Sequence, residues 1–169
     1  STNMNLNREQ VLIEALPDIR EFYDSIMIVK VSGHAMVDPP IMADIVPDIV
    51  LLRYVGIQPV LVHGGGPEIT QKMEKMGKKS EFVAGLRITD DETLEIARMV
   101  LVGNNNTRIV SLRGTYGGKG LGLSGKDGSL IMAKKKGIQR VTFEGREHEV
   151  DLGWVGDVEV INPEILMIA

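Results

Sequence analysis

The sequence predicts an α/β protein built on a mainly parallel, open sheet. Two apolar runs, 26–31 and 59–62, have the composition of strands that are buried on both faces. Each is followed by a helical pattern with a proline near its start, Pro40 in one case and Pro67 in the other. Strands that alternate with helices across short loops favour parallel pairing with right-handed crossovers. Later extended runs separated by turns predict an added β-hairpin region.

Composition and charge narrow the function classes. The 169 residues are 43% hydrophobic and 25% charged, which is the balance of a globular domain or one lobe of a larger protein. A net charge of −4 gives no electrostatic reason to bind nucleic acid or an anionic membrane, and no apolar run reaches the ~18–20 residues of a membrane span. Cysteine is absent, which excludes thiolate metal sites and fits a cytoplasmic location.

The first predicted element is an amino-terminal helix within residues 1–25. Asn7 and Gln10 have the spacing of a capping box, with Asn in place of Ser or Thr. Pro17 interrupts the helical pattern and predicts a kink or a split. Residues 1–3 precede a methionine and are interpreted as a cloning remnant, so they are left out of the fold prediction.

Two helices follow the two central strands. Pro39 begins one that extends to about Tyr54, although Pro47 lies inside it and conflicts with a regular helix. Pro67 begins the other, and Gly77 ends it.

Helix-start and helix-stop residues recur later in the chain. Thr89 and Glu92 form a capping box for a further helix, which the Gly-Asn-Asn-Asn segment 103–106 is expected to break before a helix over 107–112. Near the end, Asn162 is predicted to cap a last helix with proline at its first position.

The β-hairpin region is predicted from turn residues. Residues 81–88 are extended with turn potential at Gly85, 120–123 is a short strand, and 126–129 is a hairpin turn. Two further extended runs lie near 141–143 and 148–152.

The strongest chemical signal is the segment Val-His-Gly-Gly-Gly-Pro at 62–67. It follows a predicted strand and opens a helix, so its first N–H groups are free and the helix dipole favours an anion. Gly64, Gly65 and Gly66 let a ligand oxygen approach the backbone without a Cβ in the way. A tight turn without a ligand is the alternative, but three glycines exceed what a turn needs. The pattern is neither a Walker motif nor GxGxxG.

Lys30 lies at the end of the first predicted strand, just before Ser32 and Gly33. If the strands are parallel neighbours, Lys30 and the glycines of 64–66 share the carboxyl edge of the sheet, where open α/β folds bind ligands. The alternative is a lysine that reaches solvent from a strand end.

Other polar residues allow more than one interpretation. Arg87 is a candidate clamp for a carboxylate, or else a surface arginine. His34 and His63 are candidate general bases, although hydrogen-bonded packing is the commoner role of such a histidine. His148 has no Cys or His at ligand spacing, so no metal site is predicted.

Four segments together, 30–36, 62–68, 85–90 and 122–128, resemble the members of the amino acid kinase family that phosphorylate N-acetyl-L-glutamate. The resemblance implies a three-layer α/β/α sandwich. It also implies that residues 26–169 are the substrate-binding lobe, truncated before the ATP-binding lobe.

The resemblance assigns roles residue by residue. Lys30 corresponds to the lysine that stabilises the transferring phosphoryl group, Gly65 and Gly66 to backbone contacts with the substrate, and Arg87 to the residue that holds its α-carboxylate. Ser32 stands where the family pattern has glycine. The phosphate-loop neighbours are Ser32, Gly33 and Gly64.

The implied reaction transfers the γ-phosphoryl group of ATP, with Mg²⁺, to the side-chain carboxylate and gives an acyl phosphate in arginine biosynthesis. The segment alone is expected to be inactive. The implied partners are a second copy in a homodimer, a hexamer through the amino-terminal helix, and arginine as inhibitor. Two alternatives stay open: a family kinase acting on acetylaminoadipate, aspartate or carbamate, and a non-catalytic lobe for carboxylate binding or dimerisation.

Overall fold

The computed structural model describes residues 7–169, apart from the side chain of Arg113. The interpretation of residues 1–3 lies outside this range. The first half contains α1 (Arg8–Phe22), β1 (Ile26–Val31), α2 (Gly33–Met36), α3 (Pro39–Tyr54), β2 (Gln58–His63), α4 (Gly66–Lys75), β3 (Phe82–Val83) and β4 (Leu86–Arg87). The second contains α5 (Asp91–Arg98), a π-helix (Met99–Asn106), α6 (Thr107–Thr115), a 3₁₀ turn (Asp127–Ser129), β5 (Ile131–Lys135), β6 (Ile138–Phe143), β7 (Arg146–Asp151), β8 (Gly156–Ile161) and α7 (Glu164–Ile168).

Helix α1 is continuous, so the predicted split at Pro17 is wrong. Its N-cap is Asn7, whose side-chain oxygen accepts a hydrogen bond from the Glu9 amide at 3.1 Å. No residue of α1 is buried. Water can therefore reach the carbonyl group that loses its partner at the proline, which lowers the cost of the interruption.

The central strands β1 and β2 pair in parallel, as predicted, with Ile26 opposite Gln58 and Val31 opposite His63. The prediction that β1 is buried on both faces is wrong. Its residues alternate, and Ile28 is 66% exposed whereas Val31 is 5% exposed. Helices cover one face of this two-stranded sheet, and within the described residues the other face is open.

The core consists of two apolar clusters that flank the strand-end loops. The first joins β1, α2, α3 and α6, and the second joins α4, α5 and the π-helix. The buried members of the first are Val31, Met36, Met42, Val46 and Ile109. Those of the second are Ile69, Met73, Ile96 and Val100. The result is an α/β fold in which helix packing fixes the start of α4.

The helical segment after β4 differs from the prediction at both ends. Asp90, not Thr89, caps α5, because its side-chain oxygen accepts from the Thr93 amide at 2.8 Å. Thr89 is instead buried, and its amide donates to the Leu152 carbonyl at 2.9 Å. The predicted break at 103–106 is also wrong, since the π-helix joins α5 to α6. A π turn accommodates the segment by closing i→i+5 bonds.

The hairpins confirm the turn predictions in part. β3 and β4 pair antiparallel around Ala84 and Gly85, which have φ of 48° and 78°. β6 and β7 form a second hairpin. Segment 126–129 is not a hairpin turn, because β5 pairs with β8 rather than with a strand before it.

Two further predictions fail after residue 115. No strand covers 120–123. The Asn162 side chain does not cap α7, because its amide donates to the Ser129 carbonyl at 2.8 Å. Among residues 7–169, no helix combines the length and the apolar character needed to cross a membrane.

Candidate functional site

The parallel register brings the two strand-end loops to one edge of the sheet. Lys30 lies opposite Val62, one residue before the strands end at Val31 and His63. A Cβ placed on Gly33 would lie 3.2 Å from the Gly66 amide nitrogen and 3.6 Å from that of Gly65. The loops after β1 and β2 therefore face each other, and glycine at position 33 permits this close approach to two backbone amides.

Glycine is required by protein packing at position 65 but not at position 66. A Cβ on Gly65 would lie 2.5 Å from the Asn105 side-chain nitrogen and 2.9 Å from Leu101, so packing against the π-helix excludes a side chain. A Cβ on Gly66 would meet nothing within 4 Å. Because protein packing does not require glycine at 66, the open space beside it is available to a ligand.

Helix α4 begins at this loop with Gly65 as its N-cap and no side-chain capping bond. The first N–H groups of a helix have no intrahelical acceptor, and the helix dipole favours negative charge there. The edge can therefore hold the oxygens of a carboxylate or a phosphoryl group.

Lys30 is exposed at the end of β1, where an ammonium group can reach a ligand at the same edge. The hydroxyl oxygen of Ser32 accepts a hydrogen bond from the Ala35 amide at 3.3 Å. That bond caps α2, so the hydroxyl has a structural partner.

Arg87 is held by the start of α4 and by the segment before β3. Its Nη1 donates to Ser80 Oγ at 2.8 Å, and its Nη2 donates to Thr70 Oγ1 at 3.0 Å and to the Gly66 carbonyl at 3.1 Å. The guanidinium also lies 4.6 Å from the centre of the Phe82 ring. Burial lowers the pKa of Arg87.

An open groove of about 460 Å³ passes beside Arg87 and joins it to the glycine loop. It is lined by His34, Gly66, Pro67, Thr70, Phe82 and Arg87. His148 lies on β7 and lines a different groove, which runs between the two hairpins. Phe82 also lines that second groove.

Two asparagines of the π-helix contact the glycine loop, and sequence reasoning missed both. Asn105 is 2% exposed and donates to the Gly64 carbonyl at 3.2 Å. Asn106 contacts His63 Nε2 at 3.2 Å, and His63 Nδ1 contacts the Gly64 carbonyl at 3.1 Å. His63 thus has a partner at each ring nitrogen and is packed by hydrogen bonds. The signal was a run of asparagines inside an apolar helical pattern.

Glu68 is a third residue that sequence reasoning missed. Both its carboxylate oxygens are buried without a hydrogen-bond partner within residues 7–169. One lies 3.5 Å from the position of a Cβ on Gly65. Buried carboxylates normally have hydrogen-bond partners, so, within the part of the chain that the structure describes, the two oxygens of Glu68 are free to accept from a water or a ligand.

Within the described residues, no cluster of three or more His, Cys, Asp or Glu side chains could hold a metal ion. The edge of the α/β sheet therefore combines backbone amides, a helix start and a strand-end lysine, which is an arrangement suited to an anion.

Comparison with known sequences and structures identifies the family. The profile of the amino acid kinase family matches residues 25–167, and the chain belongs to that family. It is 72% identical over 167 residues to an acetylglutamate kinase of Methanococcoides burtonii, covering 99% of this chain and 55% of the relative. It is also 69% identical over 165 residues to the acetylglutamate kinase of Methanosarcina acetivorans. That match covers 98% of this chain and 55% of the relative.

The chain spans about half the length of these curated relatives. Among solved structures, N-acetylglutamate synthase from Neisseria gonorrhoeae, complexed with coenzyme A and N-acetyl-glutamate, is similar with a TM-score of 0.70 at 21% identity. The match covers 96% of this chain and 35% of the synthase chain, and it supports the α/β fold.

Proposed function

We propose that the whole protein transfers the γ-phosphoryl group of ATP to the side-chain carboxylate of N-acetyl-L-glutamate, and that this chain supplies the amino-acid side of the site. The observation that carries the proposal is the open space beside Gly66 at a helix start, where a Cβ would meet no protein atom within 4 Å. Relatives at 72% and 69% identity bear the name acetylglutamate kinase, which supports this substrate.

The chemistry needs an ionised nucleophile and charge neutralisation. A glutamate side chain has a pKa of about 4.3, so its carboxylate is already ionised near pH 7 and needs no general base. One carboxylate oxygen forms a bond to the γ-phosphorus while the bond to the ADP oxygen breaks. The two ring nitrogens of His63 are occupied by hydrogen bonds, which agrees with a reaction that uses no histidine base.

In this proposal, Lys30 neutralises charge on the transferring group, and the amides of Gly65 and Gly66 hold substrate oxygens. Electrostatic stabilisation of this kind is usually the largest catalytic contribution. Arg87 lines the groove that leads from Gly66, which suits an anchor for the α-carboxylate.

Arg87 already has partners for both Nη nitrogens. A carboxylate would therefore have to use the guanidinium together with these contacts or replace some of them. The groove position supports an anchoring role, and the existing bonds orient the side chain before any substrate arrives.

ATP and Mg²⁺ are part of the proposal. Lys30 and the amides in front of Gly33 fit a phosphoryl group, and they would hold its oxygens at this edge. Mg²⁺ would be carried by the nucleotide phosphates, where it neutralises their charge. Within residues 7–169 the acidic side chains form no group suited to holding the ion alone.

We also propose the finer architecture and the assembly of the protein. The sheet would be the centre of a three-layer α/β/α sandwich in a cytoplasmic enzyme, with homodimers formed through this lobe. The apolar side of α1, where Leu12 and Ile13 are each 68% exposed, suits a hexamer contact and a role in arginine inhibition.

A chimera tests the reaction. This chain replaces the matching 55% of the Methanococcoides burtonii relative, and acyl phosphate is trapped with hydroxylamine. Lys30→Ala should lower kcat about 10²- to 10³-fold with little change in the KM for acetylglutamate, because the lysine acts on the transferring group. Lys134→Ala, an exposed lysine on β5, is the matched control.

Equal turnover of Lys30→Ala and the control would contradict the role of Lys30. Turnover of acetylaminoadipate, aspartate or carbamate in preference to acetylglutamate would replace the substrate by that of another family kinase. Binding of acetylglutamate without turnover of any of the four would favour the non-catalytic carboxylate-binding lobe.

A further inference from the structure

The π-helix directs neighbouring asparagines onto the glycine loop. Asn105 and Asn106 are consecutive, yet both contact the 63–64 segment, which is more than 40 residues away in sequence. Adjacent residues of an α-helix are about 100° apart around the axis, and the wider π turn reduces that angle. Asn104 belongs to the same turn and is exposed.

The hydrogen bonds assign the tautomer of His63. The Gly64 carbonyl oxygen can only accept, so the contact from His63 Nδ1 at 3.1 Å requires a proton on Nδ1. In the neutral ring, Nε2 is then an acceptor, and it receives the side-chain N–H of Asn106 at 3.2 Å. Asn106 therefore selects the tautomer that lets His63 donate to Gly64.

The same contacts determine where the next amide points. The Gly64 carbonyl and the Gly65 N–H belong to one trans peptide group, so they point in opposite directions. Asn105 at 3.2 Å and His63 at 3.1 Å both hold that carbonyl. The Gly65 amide nitrogen lies on the side that faces Gly33, at 3.6 Å from the position that a Cβ on Gly33 would occupy. Glycine lets the Gly64–Gly65 peptide rotate easily, and a rotation by half a turn would aim its carbonyl oxygen at an anion bound there.

We propose that Asn105, Asn106 and His63 are positioning residues that lock the Gly64–Gly65 peptide with its N–H toward the ligand. This inference rests on the proposed function for the identity of the substrate. It concerns residues that do not touch the ligand and act through the orientation of one peptide group.

The wild-type chain provides the first test. Long-range ¹H–¹⁵N spectra of the whole chain should show His63 with a protonated Nδ1 and an unprotonated Nε2 near pH 8. A His63 ring protonated on Nε2 would overturn the proposal without need of any variant.

Variants of the asparagines provide the second test: Asn105→Ala, Asn106→Ala and Asn106→Asp, with Asn104→Ala as the matched control. Asn106→Ala should mix the His63 tautomers, whereas Asn106→Asp, which only accepts, should place a proton on Nε2. Asn105→Ala and Asn106→Ala should each weaken binding about two- to tenfold, the cost of one hydrogen bond. Binding is followed by the Gly65 and Gly66 amide shifts, with inorganic phosphate and N-acetyl-L-glutamate as separate probes.

The two probes separate the inference from the proposed function. If phosphate shifts depend on the asparagines but acetylglutamate causes none, the positioning role holds and the substrate is wrong. If acetylglutamate binds to all variants with the wild-type affinity and the His63 tautomer is unchanged, the positioning role is wrong and the substrate stands. If the Asn105→Ala variant does not fold, the measurements of the His63 tautomer in the wild type and in Asn106→Asp still decide the question.

Discussion

Residues 31–109 and residues 110–169 are stabilised in different ways. The first region contains every fully buried residue in the described chain except Leu152. In the second, β5 and β8 pair along their lengths, yet all their residues are exposed. Backbone pairing holds that ribbon, together with contacts such as the Lys136–Asp157 ion pair at 2.7 Å, whereas side-chain packing from several helices fixes the first region.

The comparison explains where the candidate site lies. A site that binds an anion through backbone amides needs its peptide groups held in place, and only the first region surrounds its loops with packed side chains. Gly65 is buried against Leu101 and Asn105 of the π-helix. The backbone at Gly65 is therefore held against the core beside it.

The largest expected difference between the regions comes from truncating an apolar side chain in each. Ile96 is 1% exposed in the second core cluster, so Ile96→Ala should lower the free energy of unfolding by about 2–5 kcal/mol. Val158 is 60% exposed on β8, and Val158→Ala should stay within about 0.5 kcal/mol. Urea unfolding of both variants checks this. Equal losses would show that the ribbon packs as firmly as the core.

A smaller effect separates two adjacent glycines within the site. Gly65→Ala should destabilise the chain by about 1–3 kcal/mol, because its Cβ would collide with Asn105 and Leu101. Gly66→Ala should leave stability unchanged or slightly higher, since its Cβ meets nothing, but it should weaken ligand binding. Thermal unfolding with and without N-acetyl-L-glutamate measures both. A stable Gly65→Ala variant would contradict the described packing of the loop.

The smallest effect concerns the acidic cap of α5. Hydrogen bonds from Lys78 and from the Thr93 amide lower the pKa of Asp90 to about 2. Because the unfolded carboxyl titrates near pH ~3.9, its contribution to stability is present above that pH and is lost as the pH falls toward 2. Asp90 is exposed, so solvent screening keeps this contribution small.

Asp90→Asn provides the comparison. The difference between wild-type and variant urea midpoints should be constant from pH 7 to about 5 and should shrink between pH 4 and 2. A difference that stays the same at pH 2 would mean that the charge of Asp90 does not contribute.

Local sequence signals predicted the parts of the molecule that depend on neighbouring residues. The parallel pair β1–β2, the helix from Pro39 to Tyr54 and the glycine loop at its sheet edge were all found from composition, prolines and glycines. Such signals depend only on residues that are close together in the chain, so they can be read from a single sequence.

The features that were missed depend on distant contacts. Thr89 is buried because its amide pairs with Leu152, so the next residue caps α5. The asparagines that support the loop contact residues 41 and 43 positions earlier. Periodicity cannot show which distant side chain a polar residue will reach.

The central claim is that the loop edge binds a carboxylate through the amides of Gly65 and Gly66. Titration of ¹⁵N-labelled chain with N-acetyl-L-glutamate tests it most directly, with N-acetyl-L-glutamine as a matched control that lacks the side-chain charge. We expect saturable shifts centred on Gly33, Gly65 and Gly66, with the Arg87 Nε signal following, and weaker shifts with the control. Shifts confined to the β6–β7 hairpin, or none at this loop at millimolar ligand, would contradict it.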